Sequence, residues 1–340
     1  MISKREKYSL VYFLSNSFFL ASGYSIIFKL SGKDSWISMI IGSIIGSLII
    51  YIFNKLSFNK KNNYILNEKI NVFKKGLMSV FFIFILFINV LIVRIFATSF
   101  FLNKTPGIFI TIPFITLSYL ASKKGLSTIS KMSEILMPIS LTVIFITMIA
   151  VIKDGTLNSF IPLLTTSKIK ILLSSLYFAI FTSIPQLLLF DIKIDEKNHI
   201  KYYFVSSIIT ALIGIEIIYI LGPYLIKVFR FPEYMVLKQI KLFNFIEKIE
   251  NLIGLIWFFN LFICSSICLY NLDKLHNDYK LKNYLILAFI ICLIEIVSNN
   301  YEYAIYIYKH LPIILFTIGF IFFLTIYKVT RKIKKVAKAT

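Results

Sequence analysis

The sequence predicts an all-α polytopic membrane protein of about ten transmembrane helices, a 5+5 inverted repeat with broken first and sixth helices. Three observations carry this reading. Ten apolar runs, each long enough or nearly long enough to cross a bilayer, fill almost all of the 340 residues. The composition is 58% hydrophobic, with 34 Phe and only 16% charged residues, and the mean hydropathy is +0.82. A soluble domain would have no water-facing side for so much apolar surface. Finally, the runs are parted mostly by short loops that carry lysine.

Spanning the hydrocarbon takes roughly 20 residues at 1.5 Å per residue. The first run, 9–28, follows Lys4, Arg5 and Lys7. Ala21-Ser22-Gly23 loosely resembles a signal-peptide cleavage site, but the apolar run continues through Tyr24, Ile26, Ile27 and Phe28, which reads as an uncleaved span. Runs at 36–53 and 76–101 follow. The fourth, 106–122, is shortened by Pro106 and Pro113 and closed by Lys123 and Lys124, and the parity of the topology rests on it. The remaining runs lie at 128–151, 170–190, 202–225, 251–271, 281–297 and 310–328.

Loop charge orients the set, because short cytoplasmic loops carry the excess of Lys and Arg. With the N-terminus inside, twenty-four basic residues fall on the inner side and twelve on the outer, with Arg94 inside a span. This predicts an integral multi-pass protein with both termini cytoplasmic. The net charge of +21 is thereby explained. Its charges are scattered over loops and a short tail rather than gathered on one face, which argues against nucleic-acid binding.

Chemistry by side-chain constellation is not expected. Cys264 and Cys268 share a helical face and Cys292 lies in another span, so they complete no disulfide or zinc spacing and read as packing residues. His199, His276 and His310 fall in loops or at span ends and form no catalytic or metal cluster. No phosphate-binding loop is present. The largest non-spanning pieces, Asn54 to Lys75 and Ile226 to Glu250, are too short for a core of their own. The chain therefore reads as one membrane domain, without cofactor, metal or enzymatic activity: a first repeat near 9–151, a second near 170–328 and a basic cytoplasmic tail at 329–340.

The interruptions are the first pointer to mechanism. Ser15, Ser17, Ala21, Ser22 and Gly23 break up the first span, and Thr182, Ser183 and Pro185 the sixth. Interrupted segments at matching places in two halves point to an inverted-repeat transporter fold. A helix broken at mid-membrane frees backbone groups that lipid cannot satisfy, so the break must face a polar cavity or other protein. Freed N–H groups suit a carboxylate and freed carbonyls an ammonium group, and an α-amino acid offers both. The expected pocket is Ser22, Gly23, Tyr24 and Ser25 with Phe181, Thr182, Ser183 and Pro185. The same small residues also serve close helix packing, and the sequence leaves both readings open.

Ionisable residues inside spans are costly and mark function. Arg94 in the third span and Glu216 in the seventh lie at similar depth; they either pair or face water separately. Glu134 and Glu295 sit nearer span ends, where snorkelling to the interface accounts for both. In the outer segment after the seventh span, Leu237, Ile240, Phe243, Ile246 and Ile249 follow helical spacing, with Lys238, Lys241, Glu247, Lys248 and Glu250 turned away. That pattern predicts an amphipathic helix at the membrane surface.

In its motifs the chain resembles the spore germination permease family, the B-type membrane subunits of nutrient germinant receptors within the amino acid/polyamine/organocation transporter superfamily. Phe245, Glu247, Lys248 and Glu250 resemble the family's Phe-x-Glu-[Lys/Arg]-x-Glu motif. Asp34-Ser35-Trp36-Ile37-Ser38 resembles the entry to its second span, and Arg94 with Phe96 and Lys104-Thr105-Pro106 its Arg-x-Phe and Lys-Thr-Pro elements. Gly125 to Pro138, with Ser130, Lys131 and Glu134, resembles a further conserved stretch. The order is the same, over about residues 8–325. Where the family commonly has an acidic residue after the Arg and a Gly-x-Glu at the sixth break, this chain has Ile95 and Ser183-Ile184-Pro185.

The resemblance implies a pocket formed by spans one, three, six and eight, and a subunit of the spore inner membrane in a bacterium. This subunit would bind a small nutrient, often an amino acid, and trigger germination beside an A-type membrane subunit and a C-type lipoprotein. The other function open to such a fold is gradient-driven secondary transport of an amino acid.

Overall fold

The computed structural model describes residues 2–57, 71–192, 194–238, 250–276, 280–299 and 301–339. Twelve helices are formed by these residues: α1 (Lys4–Asn16), α2 (Tyr24–Ser31), α3 (Ser35–Ser57), α4 (Val72–Phe100), α5 (Ile108–Lys123), α6 (Leu126–Val151), α7 (Lys168–Ser183), α8 (Glu196–Val228), α9 (Pro232–Lys238), α10 (Glu250–Leu275), α11 (Lys280–Asn299) and α12 (Tyr301–Ala339). All ten predicted runs fall on helix, and no strand occurs among the described residues. Seven stretches are long and apolar enough to cross a bilayer unaided: Tyr24–Leu56, Val72–Phe100, Leu126–Ala150, Lys168–Leu189, Glu196–Val228, Gly254–Leu275 and Tyr306–Val329. The first of them contains a turn at Gly32, so its crossing belongs to α3. Of the family-like motif in the outer segment, Phe245, Glu247 and Lys248 lie outside the described residues, as do Ile240, Lys241, Phe243, Ile246 and Ile249.

Local chemistry explains where the helices start and stop. The Ser3 hydroxyl accepts the Glu6 N–H while the Glu6 carboxylate accepts the Ser3 N–H, a reciprocal cap that opens α1. Gly32, Gly125 and Gly222 have positive φ, the conformation open to glycine at little steric cost. Gly222, followed by Pro223, kinks α8 near its end.

Apolar side chains face outward, as lipid favours, and the buried polar residues lie within a largely apolar core. Ile44, Leu48 and Ile52 line an exposed stripe on α3, and Ile135, Ile139 and Ile146 one on α6. Ser9, Ser31, Ser35, Asn89 and Ser174 are buried among the helices and hydrogen-bonded there. Ser9 meets Ser133 at 2.7 Å and Ser31 meets Ser174 at 2.8 Å, polar links across helices of the kind membrane proteins use.

Two features fix α3 against the second half of the chain. Gly42 lies against the Ser175 carbonyl and Phe178 of α7, and a Cβ on Gly46 would overlap the Tyr203 hydroxyl of α8. The pair forms a Gly-x-x-x-Gly face that lets backbones approach. At the α2–α3 turn, the Asp34 carboxylate accepts the N–H groups of Leu164 and Thr166, both at 2.9 Å, and Thr166 donates its hydroxyl to the Ser31 carbonyl. This is the Asp of the Asp-Ser-Trp-Ile-Ser motif, and it staples the α2–α3 turn to the segment leading into α7.

The predicted amphipathic helix falls almost wholly outside the described residues. Ahead of it, α9 buries Pro232, Glu233, Tyr234, Val236 and Leu237. Tyr234 packs on Phe100 with ring centroids 4.3 Å apart, and Phe96 packs on Trp257 at 4.2 Å. Aromatic contact area draws the helix into the bundle.

Two substitutions check this packing by thermal unfolding of the purified protein in detergent. Gly46→Ala is expected to destabilise by about 1–3 kcal/mol through overpacking on Tyr203. Asp34→Ala is expected to cost about 1 kcal/mol, because it removes the acceptor of two part-buried N–H groups.

Candidate functional site

The interruptions fall where the residues predict them. After α1 ends at Asn16, Phe19–Gly23 forms a wide π turn before α2 begins at Tyr24. After α7 ends at Ser183, Ile184–Leu189 winds as a tighter 3-10 helix, with Pro185 at its start. Pro185 has no N–H to continue the α-helical ladder, which accounts for the second break.

Around the first break, short polar side chains bond back to carbonyls of their own helix. Ser15 donates to the Val11 carbonyl at 2.9 Å, Asn16 to Tyr12 at 2.9 Å and Ser17 to Leu14 at 3.0 Å. Ser22 donates to Phe18 at 2.5 Å and Ser25 to Ser22 at 3.1 Å. Such back-bonding satisfies the hydroxyls and the amide inside an apolar medium and favours local bending of the helix.

The two breaks meet. Gln186, in the 3-10 turn, donates its amide to the Val11 carbonyl and to the Ser15 hydroxyl, both at 2.9 Å. Phe19 lies between the breaks, edge-on to Phe178 at 4.7 Å, Phe181 at 6.3 Å and Tyr24 at 4.6 Å. The ring is fully buried, and a Cβ on Gly23 would overlap it. Of the predicted pocket residues, Gly23, Tyr24 and Phe181 thus gather around Phe19. Ser22 and Ser25 turn back on their own helix. Thr182 meets the Tyr203 hydroxyl at 2.6 Å, and the buried Ser183 hydroxyl has no hydrogen-bond partner among the described residues. Pro185 is buried one residue before Gln186.

Four residues that sequence reasoning passed over complete the site: Phe19, Gln186, Tyr203 and Thr210. Tyr24 donates to the Thr210 carbonyl at 2.6 Å, and Thr210 donates to the Asn16 side chain at 2.5 Å, tying α8 to both halves of the first span. A polar amide such as Gln186 inside an apolar run carries a signal, whereas Phe19 is one of 34 Phe and carries none. The far end of the sixth-segment break is anchored as well. Asn271 of α10 donates to the Leu188 carbonyl at 2.9 Å, and Lys274 pairs with Asp191 at 2.5 Å.

The intramembrane charges sort differently from expectation. Arg94 pairs with Glu295 and donates to Asn299 at 3.4 Å, two α11 residues one turn apart. Glu216 is not its partner, because α11 packs against α4 whereas α8 packs chiefly on α3 and α1. Nor does Glu295 snorkel, since its carboxylate is held by the guanidinium. Gly107, just after Lys104-Thr105-Pro106, completes this corner: a Cβ there would overlap the Arg94 guanidinium. Glu216 lines a separate cavity, facing Thr147, Glu233 and Trp257.

A double-mutant cycle tests the pairing. Arg94→Met and Glu295→Gln are each expected to lower unfolding stability by about 1–3 kcal/mol, with coupling between them, whereas Arg94→Met with Glu216→Gln adds without coupling.

Comparison with known proteins agrees with this architecture. The chain is 22% identical over 338 residues to spore germination protein KB of Bacillus subtilis (strain 168), covering 90% of each chain. The spore permease family profile, described as spore germination protein, matches residues 10–304. A match of that extent reaches from within α1 through both broken segments to the start of α12, and the chain belongs to the spore permease family of spore germination proteins.

Proposed function

We propose that the protein is the membrane subunit of a nutrient germinant receptor, which binds a small nutrient, an amino acid, where the first and sixth spans are broken. The observation that carries this is the meeting of the two breaks around one aromatic ring. The start of α2 and the end of α7 face the same place, and such termini suit the carboxylate and the ammonium of an amino acid. Family membership supports a role in spore germination. The ten-span, 5+5 inverted-repeat topology, with cytoplasmic termini in the spore inner membrane, belongs to the same reading. So do the A-type membrane subunit and the C-type lipoprotein that would receive the signal.

The mechanism follows from the plug. With Phe19 in place the pocket is closed, so a nutrient binds only the minor form in which the ring has moved. Its affinity is reduced by the fraction of that form. Binding then shifts the equilibrium by the difference in affinity between the two states, which partner subunits can read. Secondary transport would use the same pocket, with the broken segments rocking to open each side in turn.

Thermal shift of the purified chain against a panel of amino acids checks the reading. Phe19→Ala removes edge-on contacts with three rings, each about 0.5–1.5 kcal/mol, so the apparent affinity for the bound amino acid is expected to rise roughly tenfold or more. Gly23→Val forces the ring off its seat and is expected to alter ligand response while the protein still inserts. No amino-acid response in either wild type or Phe19→Ala would overturn the site, and saturable gradient-driven uptake into vesicles by the chain alone would establish transport instead.

A further inference from the structure

Beside the two breaks, three buried side-chain atoms have no hydrogen-bond partner among the described residues: Gln186 Oε1, His199 Nε2 and Asn54 Nδ2. The side chains that carry them are at most 5% exposed. Gln186 and His199 line one small cavity of about 10 Å³. Its other walls are apolar, with Ile50 and Phe53 from α3 and Ile326 from α12 among them. That is room for one water molecule.

The hydrogen bonds already made decide what the two groups still need. Gln186 donates through its amide nitrogen to the Val11 carbonyl and the Ser15 hydroxyl, each at 2.9 Å, so its carbonyl oxygen is what remains. His199 Nδ1 lies 3.1 Å from the Asn54 side-chain oxygen. An amide oxygen can only accept, so Nδ1 carries the ring proton, and in the neutral ring Nε2 presents a lone pair. Two acceptors therefore border one cavity, and neither can satisfy the other. The remaining lining side chains are apolar and supply no donor. Buried acceptors are seldom left unmet, because desolvation without a hydrogen bond is costly. What fits is a donor of two hydrogens no larger than one water, and water is such a donor.

We propose that this cavity is a binding site for one water molecule, which donates one hydrogen to His199 Nε2 and the other to Gln186 Oε1. The water makes His199 a positioning residue for Gln186. That amide holds the end of α1 only while its nitrogen faces Val11 and Ser15, and with its oxygen held as well it cannot turn. The link runs from Asn54 of α3 through His199 of α8 and the water to Gln186, so two helices outside the breaks share in fixing them. It does not involve Phe19, and it holds whether or not a nutrient binds there.

The test uses the full chain labelled with nitrogen-15 in its histidines, purified in detergent without any nutrient. The chain has 3 His, and the His199 signals are those lost in His199→Phe. Magnetic resonance is expected to show a protonated Nδ1, an unprotonated Nε2 at the frequency of a hydrogen-bonded acceptor, and magnetisation passing to the ring from water. Gln186→Met, of similar length but without the carbonyl, is expected to move Nε2 to the frequency of a free acceptor; if that variant does not fold, the wild-type spectrum decides. Hydrogen exchange reads the positioning role. In His199→Phe the backbone amides of residues 12–24 are expected to exchange several-fold faster than in wild type, with those of α11 unchanged. The proposal is overturned by a protonated or free Nε2 in wild type, by an Nε2 signal that does not move in folded Gln186→Met, or by exchange at residues 12–24 that His199→Phe leaves as it was.

Discussion

Backbone N–H and C=O groups released by a helix break find no water inside hydrocarbon, so the protein itself must meet each of them. In this molecule Ser15, Asn16 and Ser17 bond back to their own helix beside the first break, and Gln186 reaches across from the second. Gln186 matters most, because its amide lies in the second break and holds the end of α1, next to the first. The two interruptions are thereby held at one place rather than existing as separate defects. Much of the neighbouring polar structure serves the same end, including the Tyr24–Thr210–Asn16 chain and the hold of Asn271 on the Leu188 carbonyl.

Charge obeys the same economy. Arg94, Glu295, Lys274 and Asp191 are each matched to an opposite charge carried on a different segment of the chain. An unpaired charge at these depths would be strongly unfavourable, whereas a pair costs far less and fixes which helices lie side by side. Glu216 stands outside this pattern, in a cavity that it shares with a second carboxylate.

On the proposed reading, a pocket plugged by Phe19 would stay shut until ligand binding offset the lost aromatic contacts, and would behave as a switch with a threshold. Transport asks for a further property, a second opening on the opposite side, from the same broken segments. The bonds from α10 to Leu188 and Asp191 hold one end of the sixth-segment break in place, and they would have to yield in such a cycle.

The amino-acid sequence by itself determined the solvent, the helices and the breaks, because each is a local property. Run length and hydropathy place the spans, and Ser, Gly and Pro at 15–23 and 182–185 interrupt them through their own backbone and side-chain chemistry. Tertiary structure decided which residues meet. Depth along a helix can be counted in sequence, but lateral neighbours depend on packing, and packing gave Arg94 to Glu295. For the same reason the breaks were legible while the ring between them was not. A phenylalanine among 34 takes that place only when Gly23, Phe178 and Phe181 close around it.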